Sequence, residues 1–247
     1  MTGRILILGG TNEARVLADE AVAAGGAVVL SLAGRTSAPA SSRAPTRTGG
    51  FGGVAGLRAY LRTEGIARVL DATHPFAARI SANAAAACAA ENVPYLALSR
   101  APWIEVPGDR WHRVADVAEA AALLPSLGRC VFVAFADGLT PLAGSGLDFV
   151  VRRIEPGDPG LPGASLVLGR GPFAVDDEIA LFRARKIDCV LAKDSGGDAA
   201  RAKLDAARAL GLPVVLIRRP APPAAATYRR ADALAWLGLD AVTRVSI

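Results

Sequence analysis

In its first hundred residues the chain alternates short, uninterrupted apolar runs with longer stretches of helical period. Arg4–Leu8, Ala27–Leu32, Val69–Ala72 and Tyr95–Leu98 read as strands, and Asn12–Ala24, Val54–Glu64 and Ala77–Asn92 as the helices between them. A strand that is apolar along its whole length is buried on both faces, which is the habit of parallel sheets covered by helices. Right-handed crossovers then gather the functional loops at the carboxyl ends of the strands. The second half repeats the alternation less regularly. Strands are expected at Cys130–Phe135, Asp148–Arg152, Ser165–Leu168, Cys189–Ala192 and Val214–Ile217, and helices at Asp116–Leu124, Val175–Arg185, Asp198–Leu210 and Arg230–Leu237. Ser99–Gly108, with Pro102 and Pro107, interrupts both periods. The expectation is an α/β protein of two Rossmann-like domains with mostly parallel sheets and a cleft between them, split at residues 1–99 and 100–247.

At 247 residues and 52% hydrophobic content the chain can fill two such cores, and disorder is excluded. No apolar run is long enough for a bilayer, since Ala21–Leu32 is broken by Gly25 and Gly26. The opening Met1-Thr2-Gly3-Arg4 passes straight into the first strand without the pattern of a secretory signal, so a cytoplasmic protein without a membrane partner is expected. Cys88, Cys130 and Cys189 are odd in number and form no C-x-x-C, so they read as small hydrophobes, with no disulfide and no metal site. The net charge is +5, carried by twenty-five arginines and three lysines. These arginines are scattered, aromatics are only 5%, and no helix-turn-helix, zinc-finger or RNA-binding pattern is present, which argues against nucleic acid. A guanidinium fork is well shaped for phosphates and carboxylates instead.

Four stretches of the first half are candidates for chemistry. Gly9-Gly10-Thr11-Asn12-Glu13 lies between the first strand and the first helix, where glycines admit a phosphate to the unpaired N–H groups of the helix N-terminus. Gly9 is expected to keep that space open, and Glu13 to turn sideways toward a cap, a ribose or an amide. At the end of the second strand, Ser31-Leu32-Ala33-Gly34-Arg35 lacks the carboxylate of an NAD or S-adenosylmethionine site and offers a hydroxyl and a cation. Ser31 and Arg35 are therefore assigned to the 2′-phosphate of NADP(H). The long connection that follows ends in Arg47-Thr48-Gly49-Gly50-Phe51-Gly52-Gly53, four glycines about one phenylalanine that can lie against a ligand. Asp71-Ala72-Thr73-His74-Pro75-Phe76 closes the third strand and brings Thr73 and His74 beside the first glycine turn.

In the second half, Gly169-Arg170-Gly171-Pro172-Phe173 and Lys193-Asp194-Ser195-Gly196-Gly197 each follow a strand, and the latter sets a cation, a serine and two glycines where an anion can sit. The Tyr-x-x-x-Lys pair of short-chain dehydrogenases is missing, because Tyr60, Tyr95 and Tyr228 are followed four residues on by Glu64, Ser99 and Asp232. Walker A, G-x-S-x-G and H-E-x-x-H are missing too.

Taken in order, Gly9-Gly10-Thr11-x-Glu13-Ala14-Arg15, the Gly49–Gly53 run, Asp71-Ala72-Thr73-His74-Pro75-Phe76-Ala77, Ser99-Arg100, Gly169–Phe173 and Lys193–Gly197 resemble the precorrin-6A reductase family of cobalamin biosynthesis over nearly the whole chain. The resemblance implies an oxidoreductase that uses NADPH to reduce the C18–C19 double bond of the precorrin-6A macrocycle to the dihydro product, precorrin-6B. It implies an N-terminal domain holding NADP(H) through Gly9, Gly10, Thr11, Asn12, Glu13, Ser31, Arg35, Thr73 and His74. A polycarboxylate tetrapyrrole would then meet Phe76, Arg100, Arg170, Gly171, Lys193, Asp194, Ser195 and Gly196. His74, Lys193 and Ser195 are the candidates for delivering the proton, with water as a further option. Neighbouring enzymes of the pathway are candidate partners. Two other readings stay open: a non-catalytic NADP(H)-sensing protein, and an S-adenosylmethionine-dependent transferase, which the missing acidic residue after the second strand disfavours.

Overall fold

A computed structural model describes residues 3–34 and 40–239. In the first unit the chain runs β1 (Arg4–Leu8), α1 (Asn12–Ala23), β2 (Val28–Leu32), β3 (Thr46–Thr48), α2 (Gly53–Thr63), β4 (Ile66–Asp71), α3 (Ala78–Glu91) and β5 (Tyr95–Leu98). The second unit contains β6 (Trp111–Val114), α4 (Val117–Leu123), β7 (Cys130–Val133), β8 (Asp148–Arg153), β9 (Ser165–Leu168), α5 (Val175–Ala184), β10 (Cys189–Lys193), α6 (Ala202–Ala209) and β11 (Val214–Ile217). The chain then returns to the first unit with β12 (Ala226–Thr227) and α7 (Arg230–Leu237).

Two six-stranded sheets result, ordered β12-β5-β4-β1-β2-β3 and β6-β11-β10-β7-β8-β9, and every strand pair is parallel. The apolar runs of β1 and β2 are buried because helices cover both faces of the first sheet. One face packs Ile5, Ile7 and Leu30 against Leu17 of α1 and Leu237 of α7. The other packs Leu6, Leu8 and Val69 against Leu57 of α2 and Cys88 of α3. In the second unit Phe132, Val190 and Leu216 form a core with Phe182 of α5 and Leu204 of α6. At roughly 25 cal/mol per Å² of apolar surface removed from water, these layers are the main favourable term of folding.

The chain groups differently from a simple division into residues 1–99 and 100–247. Units group as Met1–Arg100 with Pro220–Ile247, and Ala101–Arg219. The return is fixed by backbone bonds from Ala97 N to the Ala225 carbonyl at 2.8 Å and from Ser99 N to the Thr227 carbonyl at 2.9 Å. Burial of Ala233 and Leu237 in the first core completes it, so α7 belongs to the first unit and not to a continuous 100–247 domain.

Candidate functional site

Sheet order singles out two places. In the first sheet the chain steps outward from β1 to β2 and β3, then crosses to β4 and β5 on the other side. In the second it steps from β7 to β8 and β9, then crosses to β10 and β11. Each reversal is a topological switch point, and ligands of open α/β sheets bind beyond the strand carboxyl ends there.

At the first switch point the β1–α1 turn meets the end of β4. Thr11 caps α1, its Oγ1 accepting from Ala14 N at 3.1 Å and donating to the Ala72 carbonyl at 2.8 Å, so one side chain joins both strand ends. The two glycines divide their work differently from the expectation. A Cβ on Gly9 would lie 2.7 Å from Leu30 Cδ1, in the interior, so Gly9 allows strand packing. Gly10 has φ +112° and open space where a Cβ would be, and it is the glycine that leaves room above the helix N-terminus. Asn12 Oδ1 accepts from Arg15 Nη2 at 2.9 Å.

Glu13, expected to meet a cap, a ribose or an amide, instead forms a 2.7 Å ion pair with Arg100 Nη2. Burial tends to raise the pKa of this carboxyl, but the Arg100 hydrogen bond and charge, with a smaller contribution from His74, hold it below the ordinary carboxylate value. Arg100, expected among the substrate contacts, therefore neutralises an acid at the first switch point.

Beside them Asp71 is buried and accepts from Thr73 N at 3.0 Å, Thr73 Oγ1 at 2.7 Å and the Tyr95 hydroxyl at 2.8 Å. Burial and then the Asp71 charge push the Tyr95 phenol upward, so it stays a donor. This network fixes the turn that presents His74. Its Nδ1 accepts from Phe76 N at 3.2 Å, and the neutral ring thus carries its proton on Nε2.

Ser31 is buried at the end of β2, and Arg47 of β3 donates to its Oγ at 2.7 Å. Arg35 lies outside the described residues. Arg47 was not singled out in the sequence, although it opens the glycine run, because only the pairing of β3 with β2 sets it opposite Ser31.

At the second switch point Lys193 ends β10, with Nζ 4.5 Å from the centre of the Phe135 ring that follows β7. The next residues build the unit. Asp194 is buried, accepting from Arg219 Nη2 at 3.0 Å and Arg113 Nη1 at 3.3 Å. Ser195 is buried as well, with its N–H on the Lys193 carbonyl at 2.7 Å. Gly196 has φ +65°, and a Cβ there would lie 2.3 Å from the Ala101 carbonyl oxygen. Asp194 and Gly196 thus hold the fold of the turn, and Lys193 is its partly exposed cation. In the other expected loop Arg170 and Gly171 are exposed. Phe173 folds back over Gly169 and Gly171 and stacks 3.8 Å from the Arg152 guanidinium, which is paired with buried Glu178.

Burial pushes the Cys88 and Cys189 thiols up to about 12, as suits small hydrophobes. Among the described residues no cluster of His, Cys, Asp or Glu is arranged to hold a metal, and no helix is long and apolar enough to cross a membrane.

Two doubly wound parallel sheets, the first bearing a glycine turn and a capped helix N-terminus at its switch point, define a protein of the doubly wound α/β class. More narrowly, the chain belongs to the precorrin-6x reductase CbiJ/CobK family, whose model matches residues 4–238. It is 50% identical over 225 residues to a precorrin-6A reductase of Rhodobacter capsulatus, covering 90% of each chain. It is 48% identical over 241 residues to a precorrin-6A reductase of Rhodococcus erythropolis, covering 95% of this chain and 97% of the other. A solved structure of CobK precorrin-6A reductase is similar with a TM-score of 0.90 at 47% identity, covering 96% of each chain.

Proposed function

We propose that this chain is an NADPH-dependent precorrin-6A reductase that adds two hydrogens across the C18–C19 double bond of the macrocycle. The observation that carries the cofactor reading is the open face of Gly10 above the capped N-terminus of α1, a cradle that a Cβ would fill. Family membership carries the substrate. When bound, NADPH would supply the hydride for one carbon, and with a proton for its neighbour the products would be NADP⁺ and the dihydro macrocycle, which balances the two electrons.

Gly10, Thr11 and Asn12 present the helix N-terminus to the pyrophosphate, with Gly9 letting the turn pack beneath. Glu13 does not repel those phosphates, because Arg100 pairs with it. Thr73 and His74 flank the same position, and the Nε2 proton of His74 serves as a hydrogen-bond donor. As an acid His74 would need a second proton on Nδ1, at the expense of its bond from Phe76 N. His74 is therefore a positioning group, and water is the proposed source of the proton. The polycarboxylate arms of the macrocycle are met by cations, of which Lys193 and Arg170 are the proposed partners, while Phe76 offers an apolar face. Such a reaction on a freely diffusing cofactor belongs in the cytoplasm, next to the enzymes that make and consume the macrocycle.

Calorimetric titration with NADPH, NADH and S-adenosylmethionine tests this reading. Tight binding of NADPH alone is expected. Preference for S-adenosylmethionine overturns it in favour of a transferase, and NADPH binding without conversion of precorrin-6A turns it into an NADP(H) sensor.

A further inference from the structure

We infer that Arg47 is the residue that selects NADPH over NADH, and that Ser31 acts through it as a positioning residue. The inference rests on the reading of the first unit as the NADP(H) site. It starts from register. Ser31 and Arg47 are direct partners in the β2–β3 pair, at the carboxyl end of β2, where sheets of this topology receive the adenosine ribose.

Arg47 is held in one orientation from several sides. Its Nη1 donates to Ser31 Oγ at 2.7 Å and to the Gly49 carbonyl at 3.0 Å, and its Nη2 donates to the Gly50 carbonyl at 3.1 Å. The guanidinium carbon lies 3.9 Å above the centre of the Phe51 ring and 5.2 Å from that of Tyr60. Those two rings brace each other edge to face at 5.2 Å. Among the described residues these bonds use both Nη1 hydrogens and one on Nη2, leaving one Nη2 hydrogen and the Nε hydrogen.

Arg47 makes no ion pair with a carboxylate among the described residues, whereas Arg4, Arg15, Arg58, Arg62 and Arg100 of the same unit all do. A planar cation with two donors in hand, rigidly stacked and not neutralised, is built to take a phosphate side-on. The flanking Gly49 and Gly50 carry no side chains, and a Cβ at either would meet nothing within 4 Å, so space is open beside the guanidinium for a bulky dianion. Ser31 is too buried to be the main phosphate contact itself. By accepting from Nη1 it fixes which edge of the fork is presented.

A role as a mere brace of the glycine run would affect both nicotinamides alike, because the run lies beside the part of the ligand that they share. Selection for the 2′-phosphate separates them. The test is calorimetric measurement of Kd for NADPH, NADH, adenosine 2′,5′-bisphosphate and ADP on the full chain. Wild type is compared with Arg47→Ala, Arg47→Lys, Ser31→Ala, Ser31→Thr and Arg35→Ala, with circular dichroism confirming the fold of each. Arg47→Ala is expected to weaken NADPH and the bisphosphate by about 10- to 100-fold while NADH and ADP change less than about twofold. Arg47→Lys keeps the charge but loses the fork, and falls between. Ser31→Ala shows a smaller NADPH-specific loss that Ser31→Thr restores. Equal losses for both nicotinamides on Arg47→Ala, or an NADPH-specific loss confined to Arg35→Ala, overturn the assignment while leaving the NADP(H) site standing. Wild-type protein that binds none of the four ligands overturns both. If Arg47→Ala does not fold, Arg47→Lys decides alone, and undiminished NADPH selectivity in it counts against the inference.

Discussion

Arg100, at the end of the last strand before the chain leaves the first unit, places Nη2 2.7 Å from the carboxylate of Glu13, a residue 87 positions earlier in the first turn of α1. An acid at a helix N-terminus suits the helix dipole but would oppose a bound pyrophosphate. The arginine resolves that conflict without removing the acid. The two ends of the first hundred residues are thereby tied together at the first switch point.

The pair fixes a pH dependence. Because the Glu13 pKa is depressed in the folded protein, its contribution to stability is present above the ordinary carboxylate value of 4.5 and is lost as pH falls through the depressed value. The pair is partly exposed, so its worth is at most about 1 kcal/mol. Arg100→Ala leaves burial less opposed, and the Glu13 carboxyl titrates at higher pH. Carbon-detected NMR titration of the side-chain carboxyl follows this directly; an unmoved midpoint in the variant contradicts the assigned cause.

The three glycines at the switch points separate stability from binding. Gly10→Ala meets open space, so only the positive φ is strained, at about 1 kcal/mol, but its methyl group stands where phosphate is proposed to lie. NADPH affinity is expected to fall at least about tenfold in a folded protein. Gly196→Ala drives a methyl toward the Ala101 carbonyl and costs about 2 to 4 kcal/mol in urea unfolding. Gly9→Ala presses on the flexible end of Leu30 and is the milder core change. The reverse ranking of Gly10 and Gly9 in cofactor binding contradicts the placement.

Asp194 stands between two guanidiniums and is almost wholly buried. Asp194→Ala removes the buried carboxylate that Arg219 and Arg113 share and should cost about 3 kcal/mol. Asp194→Asn keeps the shape and part of the hydrogen bonding, and should cost less. Chemical denaturation separates the two; an Asp194→Ala protein as stable as wild type shows that the arginines find water instead.

Strands β1, β2, β4, β10 and β11 were legible because each carries a run of three or more consecutive apolar residues or, in β4, the buried pair Val69-Leu70 ahead of Asp71, as burial on both faces favours. Strands β3, β6 and β12 were not. Thr46-Arg47-Thr48 and Trp111-His112-Arg113-Val114 lie at sheet edges and Ala226-Thr227 is only two residues long, so neighbours dictate their conformation where no apolar run does. The return of α7 to the first unit escaped for the same reason, being a contact between residues some two hundred positions apart. In the candidate site, the Gly10–Thr11 turn and the Thr73–His74 turn follow strands and helices that the pattern located. The partner of Ser31 depended on the unseen edge strand. The burial of Asp194 was hidden because a polar residue in a glycine turn looks the same whether it faces water or two arginines.

For His74, the acceptor role of Nδ1 toward Phe76 N predicts a modest kinetic effect. His74→Ala should lower kcat by about tenfold or less, with much of the loss in NADPH affinity, and should leave the pH profile of kcat unchanged near neutrality. Removal of a general acid would instead cost about 10² to 10⁴. A thousandfold fall in kcat at unaltered cofactor affinity reassigns His74 as the proton donor.

Hydride transfer from NADPH to the macrocycle can be followed with NADPH deuterated at the transferable C4 position. Incubated with this protein, precorrin-6A should gain two hydrogens, one of them the cofactor's deuterium at C18 or C19, with one NADP⁺ formed per product by mass spectrometry and absorbance. A product without deuterium, or NADPH left unconsumed beside intact precorrin-6A, would rule out hydride transfer from NADPH by this protein.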